Sequence, residues 1–435
     1  MGAFSITNFN LAARLGRGVA WGLTGAIVNS TINLGLSIFL ARVLGKEGFG
    51  KFSIVQSTML TAAGVAQLAM GYTANKYVAE FRISDKIRAA RIIGFCSVVS
   101  WITAVVALTA IVLSAPWLAV TALAKPQLSS SLVAASGMVF FSVLTGFQIG
   151  VLAGLESYKR LAQATAAGAI ANLLVCILGA WGAGLDGVVV GLSLGALLQW
   201  FMYRHALWTE TRKQGVSPIY RNLSAEKAIF YRFALPAAAS GFVSMPALWL
   251  ANSFLVREAN GIEEIAMFAA ANTLRSLVLF LPVMFNKVTT SLLNNHRGPA
   301  ERGSYGELFH LNLFVTSGIA VIGAALVAIL GPWLLGAFGK SFLNGSPVLY
   351  IMLLVTTMEV VFQAVYQLIQ SNERMWLSFF AVVIPRDIAS VMLAFVFVPK
   401  WGAAGLAAAY GGSWLLSLIL VCFLSLRHGL LPRTP

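Results

Sequence analysis

The chain contains 435 residues, of which 58% are hydrophobic and only 10% are charged, and its mean hydropathy is +0.82. Because soluble domains carry roughly 25% charged residues, this composition excludes a soluble enzyme. A formal net charge of +15 would favour nucleic acid as a partner if the basic residues formed one extended patch. They lie mainly in alternate short loops, so no nucleic-acid partner is predicted.

Long uncharged segments predict about twelve transmembrane helices. A helix requires about 20 predominantly apolar residues to cross the hydrocarbon core of a bilayer. In chain order, the predicted spans are residues 18–42, 52–78, 92–115, 130–153, 161–182, 185–203, 232–256, 264–286, 308–331, 342–370, 375–398 and 402–426. The predicted fold class is therefore an all-α polytopic membrane protein.

The distribution of basic residues predicts the orientation of these spans. Of the 30 Lys and Arg residues, 19 lie in segments on the same side as the amino terminus, 6 in the opposite loops and 5 within spans. Because cytoplasmic loops are enriched in Lys and Arg, both termini are predicted to be cytoplasmic. No small-residue cleavage site follows a short apolar region, so the first span is expected to be retained.

The longest polar connection, residues 204–231, follows the sixth span and divides the chain into two halves. We predict an amino-terminal six-helix bundle over 1–207, a cytoplasmic connecting loop over 208–231 and a carboxy-terminal six-helix bundle over 232–435.

A weak internal repeat supports this division. Residues 39–56 resemble residues 254–272, and WGAGLDGV at 181–188 resembles WGAAGL at 401–406 with a two-residue offset. Because an even number of spans separates the copies, an axis along the membrane normal is expected to relate the halves. Transporters are built from such repeats, with the substrate site at the repeat interface near mid-membrane.

No motif predicts catalysis, a cofactor or a metal centre. GAGLDG at 182–187 fits GxGxxG, but no strand is predicted before it, and the Walker A and HExxH patterns do not occur. The three cysteines all lie in apolar runs and are predicted to be small core residues, while the four histidines are scattered. Gly146, Gly150 and Gly154 recur every four residues on span 4 and predict close helix packing.

Polar side chains within spans are the binding-site candidates, because such groups are costly in hydrocarbon and face a partner or water. In spans 1 and 2 they are Asn29, Asn33, Gln56, Gln67, Asn75 and Lys76. Two alternatives remain open: single amides can join helices, and Lys76, close to Glu80, can reach the cytoplasmic surface.

The second half adds ionisable groups. They and their polar neighbours are Asn272 and Arg275 on span 8, Glu359, Gln363, Tyr366, Gln367 and Gln370 on span 10, and Arg386 and Asp387 on span 11. Arg275 and Glu359 are expected to face an aqueous cavity. Alternatively, Glu359 neutralises Arg275 directly, and Arg386 forms an internal pair with Asp387.

Cationic and amide side chains together predict an anionic, hydroxyl-rich substrate. An Arg guanidinium matches phosphate oxygens and stays protonated inside a membrane. Amide and Tyr side chains supply the donors and acceptors that sugar hydroxyls need. An exporter of cationic drugs is expected to have an acidic, aromatic cavity instead.

Three segments resemble the lipid-linked oligosaccharide flippases, the O-antigen and exopolysaccharide translocases of the superfamily that includes the MATE exporters. They are LARVLGKEGFGKFSIVQS (40–57), GYTANKYVAEFR (71–82) and WGAAGLAAAYGGS (401–413). The resemblance implies two pseudo-symmetric six-helix bundles that open alternately to cytoplasm and periplasm. It also implies an undecaprenyl-diphosphate-linked oligosaccharide as substrate, translocated across the bacterial inner membrane.

On this interpretation, the diphosphate and glycan contact Arg275, Lys76, Arg386, Asn29, Asn33, Gln56, Asn272 and Gln363. Glu359 and Asp387 are the candidates for coupling to H⁺ or Na⁺. Membrane lipids and a polysaccharide polymerase machinery are the other expected partners. Two alternatives remain: a MATE-type cation or drug antiporter, and an integral-membrane glycosyltransferase or polymerase, which the short outer loops disfavour.

Overall fold

The chain folds as an all-helical membrane protein. The computed structural model describes residues 3–295, 302–371 and 375–427, with side chains described over 20–286, at 289, and over 306–369 and 376–427. No β-strand occurs among these described residues. Nine helical segments in the same part of the chain are long and apolar enough to span a membrane. The predicted all-α polytopic fold is confirmed.

The helices follow one another with short connections. In chain order they are α1 (Ala3–Ala66), α2 (Met70–Ser84), α3 (Lys86–Trp117), α4 (Ser129–Gly154), α5 (Tyr158–Gln214), α6 (Lys227–Ile229), α7 (Leu235–Arg257), α8 (Gly261–Asn295), α9 (Arg302–Phe338), α10 (Ser346–Ser371), α11 (Met375–Ser378) and α12 (Ile384–Arg427).

Three of the long helices each contain parts of two predicted spans, joined at a glycine. Helix α1 changes direction at Gly45, α5 at Gly184 and α12 at Gly402, with φ angles of 69°, 56° and 54°. Glycine has no Cβ and therefore adopts positive φ without steric cost. Nine spanning segments thus accommodate the twelve predicted spans.

The last of these breaks repeats the geometry of the second. Gly184 and Gly402 have φ/ψ of 56°/−129° and 54°/−131°. Three residues later, a Cβ on Gly187 would lie 2.0 Å from the Gly179 carbonyl oxygen, and one on Gly405 would lie 2.3 Å from that of Phe397. At both breaks the backbones of the two flanking helices are in contact, and the contacting residues have the same separation in the sequence. This agreement supports the predicted repeat of the WG segments and its two-residue offset.

The second predicted span, residues 52–78, was expected to be continuous, and this was wrong. Helix α1 ends at Ala66, Leu68 and Ala69 adopt φ angles of 46° and 53°, and α2 starts at Met70. Beyond the break, α2 packs so closely on α4 that a Cβ on Gly150 would lie 2.0 Å from the Gly71 carbonyl oxygen. This backbone contact holds α2 in its offset direction and confirms the predicted close packing of the α4 glycines.

The chain divides into two compact units. The first comprises Met1–Leu36 and Val55–Phe242, and the second comprises Ser37–Ile54 and Val243–Pro435. The core of the first unit includes Met70, Ile92, Cys96, Phe147 and Val151, and that of the second includes Phe309, Phe362, Leu368, Val382 and Val421. The predicted boundaries at residues 207 and 232 stay a prediction.

Residues 37–54 belong to the second unit because of an aromatic contact. The Phe49 ring lies edge-on to Phe338 and Phe342, at centroid distances of 6.2 and 5.9 Å. Lys46 also forms a 2.9 Å ion pair with Glu263 at the start of α8. The Gly45 break therefore directs the middle of α1 into the packing of the second unit.

Candidate functional site

The second unit contains an ion pair between α8 and α10. Arg275 donates to the Glu359 carboxylate through Nη2, to Asn272 Oδ1 at 3.0 Å and to Thr356 Oγ1 at 3.2 Å. Gln363 donates to the other carboxylate oxygen of Glu359 at 3.1 Å. The arrangement is the one in which Glu359 neutralises Arg275 directly, and it unites four of the predicted site residues.

A second ion pair lies on α12. Arg386 donates to Asp387 at 2.8 Å through Nε and to Ser244 of α7 at 2.9 Å, and Ser244 donates to Asp387 at 2.6 Å. The Arg386 guanidinium also lies 5.0 Å from the centroid of the Trp414 ring. Because Asp387 is only 1% exposed, these hydrogen bonds compensate for the loss of water around its carboxylate.

The ring of Tyr410 of α12 packs on Phe268 of α8 at a centroid distance of 5.6 Å. Each of the two ion pairs joins one cation to one carboxylate, so its charges balance.

An amide cluster joins three helices of the second unit. Asn312 of α9 donates to Asn286 of α8 at 2.9 Å, and Gln367 of α10 donates to the same oxygen at 2.8 Å. All three side chains are at least 94% buried. This cluster joins helices, as the sequence allowed for single amides, while the side chain of Gln370 lies outside the described residues.

Lys76 of α2 differs from the two arginines because it is exposed. Its Nζ lies 4.1 Å from the centroid of the Phe233 ring and 5.2 Å from that of Tyr77. Among the described residues it has no carboxylate partner, including Glu80. An ammonium group held over aromatic faces keeps its charge available to an anion.

The other predicted residues of the first unit do not form a single cluster with Lys76. Asn33 donates to the Asn29 backbone oxygen at 2.9 Å, within one turn of α1. Gln56 is half-buried on the same helix. Gln67 and Asn75 instead line a common cavity beside the break between α1 and α2.

A larger cavity of about 700 Å³ lies at the predicted cytoplasmic end of the first unit. Its charged groups are largely compensated: Arg82 pairs with Glu156 at 2.5 Å, and Arg160 pairs with Glu210 at 3.5 Å. Sequence reasoning missed the amides of Asn286 and Asn312 and the hydroxyls of Ser244 and Thr356. Ser and Thr are common within apolar spans and give no signal of their own.

The described residues form a polytopic helical bundle with ion pairs and an amide cluster inside its spans. Residues 15–290 match the sequence profile of the polysaccharide biosynthesis protein family. Because the match covers more than half of the chain, the protein belongs to that family. No curated protein matches the chain in sequence.

Solved structures give the same fold. An inward-facing multidrug resistance MATE family transporter of the MOP superfamily has a TM-score of 0.78 at 16% identity, covering 93% of this chain and 98% of its own. The lipid II flippase MurJ, inward closed, has a TM-score of 0.74 at 14% identity, covering 92% and 86%. A MOP superfamily transporter from Pyrococcus furiosus, described by a binding pocket of reverse polarity, has a TM-score of 0.68 at 18% identity, covering 97% of this chain and 96% of its own.

Proposed function

We propose that the protein is a flippase that moves an undecaprenyl-diphosphate-linked oligosaccharide from the cytoplasmic to the periplasmic leaflet of the bacterial inner membrane by alternating access. The observation that carries the proposal is membership of a polysaccharide biosynthesis family in a chain with a transporter fold. The structural similarity to a lipid II flippase supports a lipid-linked substrate. The excess of basic residues in alternate loops supports cytoplasmic termini.

Lys76 is the first contact for the diphosphate in this proposal. It is exposed, and no described carboxylate neutralises it. An ammonium group binds phosphate oxygens as a point charge and needs no fixed orientation. These properties suit a group that attracts a charged substrate before the substrate is held in a defined position.

Arg275 and Glu359 act later, as one exchangeable pair. While Glu359 is ionised it occupies the Arg275 guanidinium. A proton or Na⁺ on Glu359 would weaken this attraction and leave the Arg275 donors free for phosphate oxygens. Asp387, which holds Arg386 in the same way, is the second candidate for such coupling.

A flipping assay in sealed proteoliposomes tests the proposal. A labelled polyprenyl-diphosphate oligosaccharide is followed by its exposure to a membrane-impermeant enzyme. Wild-type protein is expected to expose the label, and Lys76→Gln to slow exposure about tenfold, which corresponds to one charge-assisted hydrogen bond. Lys76→Arg is expected to retain most of the rate.

Lys159 provides the matched control, because it is also an exposed Lys over an aromatic ring, 5.7 Å from the Trp21 centroid. Lys159→Gln is expected to leave flipping unchanged. Absence of exposure by wild-type protein, together with efflux of a cationic dye under an ion gradient, would establish a MATE-type antiporter instead.

A further inference from the structure

A cavity of about 420 Å³ opens beside the break between α1 and α2, and we refer to it as the break cavity. Helices α2, α4 and α5, together with the break itself, supply its walls. Its polar lining residues are Gln67, Tyr72, Asn75, Ser142, Thr145 and Gln199. Its volume falls within the range of about 300–1,000 Å³ that small-molecule sites occupy.

The break in the helix produces this space. Because Leu68 and Ala69 adopt left-handed conformations, α1 ends just before Gln67 while Asn75 lies on α2. Gly146 and Gly150 line the cavity on α4, and a Cβ on them would lie 2.7 Å from Gln67 Oε1 and 2.0 Å from the Gly71 carbonyl oxygen. Glycine at these two positions therefore lets α4 approach Gln67 and α2 closely at the edge of the cavity.

The polar groups of the break cavity have unused hydrogen-bonding capacity. Thr145 is only 7% exposed, and its hydroxyl oxygen has no hydrogen-bond partner among the described residues. The half-buried amides of Gln67 and Gln199 and the exposed amide of Asn75 make no side-chain hydrogen bond within the described part of the chain. A buried polar group without a partner is costly, so a ligand that bonds to the Thr145 hydroxyl would remove that cost, and the three amides are open to the same ligand.

The lining also defines the chemistry of the ligand. No charged side chain is among the described residues that line the cavity, so it offers nothing specific to a phosphate or an ammonium group. Amides and hydroxyls both donate and accept, which suits a molecule that carries several hydroxyls. The Tyr72 ring, 58% exposed and stacked on Phe233 at 5.5 Å, supplies a flat apolar surface.

We propose that the break cavity binds a neutral sugar ring. The inference rests on the proposed function and identifies this cavity as the subsite for an uncharged sugar of the glycan, with Lys76 one residue beyond Asn75 available to the phosphate. The amides and hydroxyls of the cavity form hydrogen bonds with the sugar hydroxyls, and Tyr72 packs on the apolar face of the sugar ring. An apolar drug would leave the same amides and hydroxyls unpaired and is disfavoured.

Saturation-transfer NMR on the purified full-length protein tests binding, with glucose, galactose, mannose and N-acetylglucosamine as probes. At least one hexose is expected to bind the wild-type protein. The double variant Thr145→Val/Gln199→Leu is expected to weaken that binding by about tenfold or more, since it removes two hydrogen-bonding groups. Absence of binding by all four sugars, or equal binding by the variant, would overturn the proposal.

Matched controls separate this effect from a general loss of structure. Thr103→Val removes a hydroxyl that bonds its own helix backbone, and Gln127→Leu removes an exposed amide, both outside the cavity. Both are expected to bind sugar as the wild type does. Thr145→Val alone is expected to leave the unfolding temperature unchanged or raise it, because an unsatisfied buried hydroxyl is replaced by a methyl group. Should the double variant not fold, Asn75→Ala at an exposed position is used instead, with the same expected weakening.

The same variants in the flipping assay distinguish this proposal from the proposed function. If the wild type flips the lipid-linked glycan and the double variant flips it with an unchanged KM, the sugar subsite is wrong and the flippase function stands. If hexoses bind and the variant loses them while the wild type flips no lipid-linked glycan, the subsite stands and the flippase function is wrong.

Discussion

Arg275 and Glu359 show why a charge inside a span is not by itself a free binding group. Their side chains are only 12% and 10% exposed, so both have lost most of their hydration. Three further hydrogen bonds, involving Asn272, Thr356 and Gln363, offset part of that loss. Buried ion pairs contribute little net stability but are very costly to break on one side.

Substitution of one partner is therefore expected to be worse than substitution of both. Arg275→Met leaves the Glu359 carboxylate buried without its cation and is expected to destabilise the protein by about 3–5 kcal/mol. The double variant Arg275→Met/Glu359→Met is expected to recover most of that loss. Thermal unfolding of the full-length protein in detergent measures both, and a double variant no more stable than the single one would contradict this account.

Ionisable residues are rare within apolar runs, so charge alone identified four site candidates in the sequence: Arg275, Glu359, Arg386 and Asp387. For Arg275 and Glu359, pairing was one of two alternatives, and only the relative rotation of α8 and α10 about their axes decides between them. Thr145 and Gln199 gave no signal, since a single hydroxyl or amide within a span usually joins two helices. These two residues become candidates for binding only because they line the break cavity, and that cavity lies beside the break between α1 and α2.

At the scale of elements, glycine determines where the long helices change direction. The predicted bounds of spans 5 and 6 and of spans 11 and 12 already placed a boundary close to Gly184 and Gly402. The sequence did not predict the break at Leu68–Ala69, since neither residue is a glycine and the segment remains apolar. Hydropathy reports whether a segment can enter a bilayer, but it does not report whether the helix is continuous.

The break at Gly184 is expected to require glycine for its backbone conformation alone. A Cβ there would meet nothing within 4 Å, yet its φ of 56° with ψ of −129° is strained for any L-residue. Gly184→Ala is therefore expected to destabilise the protein by about 1–3 kcal/mol, measured by thermal unfolding. Gly182→Ala, two residues earlier and equally open, is the control and is expected to be neutral or slightly stabilising. Equal losses in both variants would show that backbone conformation is not the cause.

Gly402→Ala is expected to show an additional effect. A Cβ at this position would lie 2.9 Å from Glu264 Oε2, the atom that accepts the Ala403 backbone N–H at 2.9 Å. The variant therefore combines backbone strain with disruption of a capping hydrogen bond, and it is expected to unfold at a lower temperature than Gly184→Ala. Glu264→Ala in the Gly402→Ala background separates the two contributions because it removes the acceptor: no further change would assign the extra loss to this hydrogen bond.

At the scale of the whole molecule, the membrane potential acts on the substrate of the proposed flippase. Each negative charge that leaves a negative interior gains about 2.3 kcal/mol per 100 mV. For a diphosphate with about two charges, 100 mV would change the equilibrium distribution roughly a thousandfold. The polar regions of the protein need only lower the barrier for this movement.

A K⁺ diffusion potential in proteoliposomes tests this expectation. An inside-negative potential is expected to increase exposure of the labelled glycan on the outer leaflet, and an inside-positive potential to decrease it. Glu359→Gln is expected to lose part of this dependence while it still binds substrate, if Glu359 carries the coupling ion. Identical potential dependence in wild type and variant would remove Glu359 from the coupling scheme.

The sequence predicted the global architecture because hydrophobicity alone specifies which segments enter the bilayer. In the described part of the chain, nine segments can span a membrane; three of them each contain two predicted spans, and together they correspond to the twelve. The assignment of residues 37–54 to the second unit was not predicted, because it depends on the packing of Phe49 against distant aromatic rings. Contacts of this kind have no local pattern in the sequence.

The burial of the cysteines makes this chain a ready template for site-directed labelling. Cys96 and Cys176 are fully buried, and Cys422 is partly shielded within α12. Thiol reagents act on accessible thiolates, so the native cysteines contribute little background. A spin label or fluorophore could therefore be attached to one introduced cysteine in each unit without first removing the natural ones. Distances measured between two such labels, with and without a lipid-linked glycan, would follow the transport cycle in an otherwise native sequence.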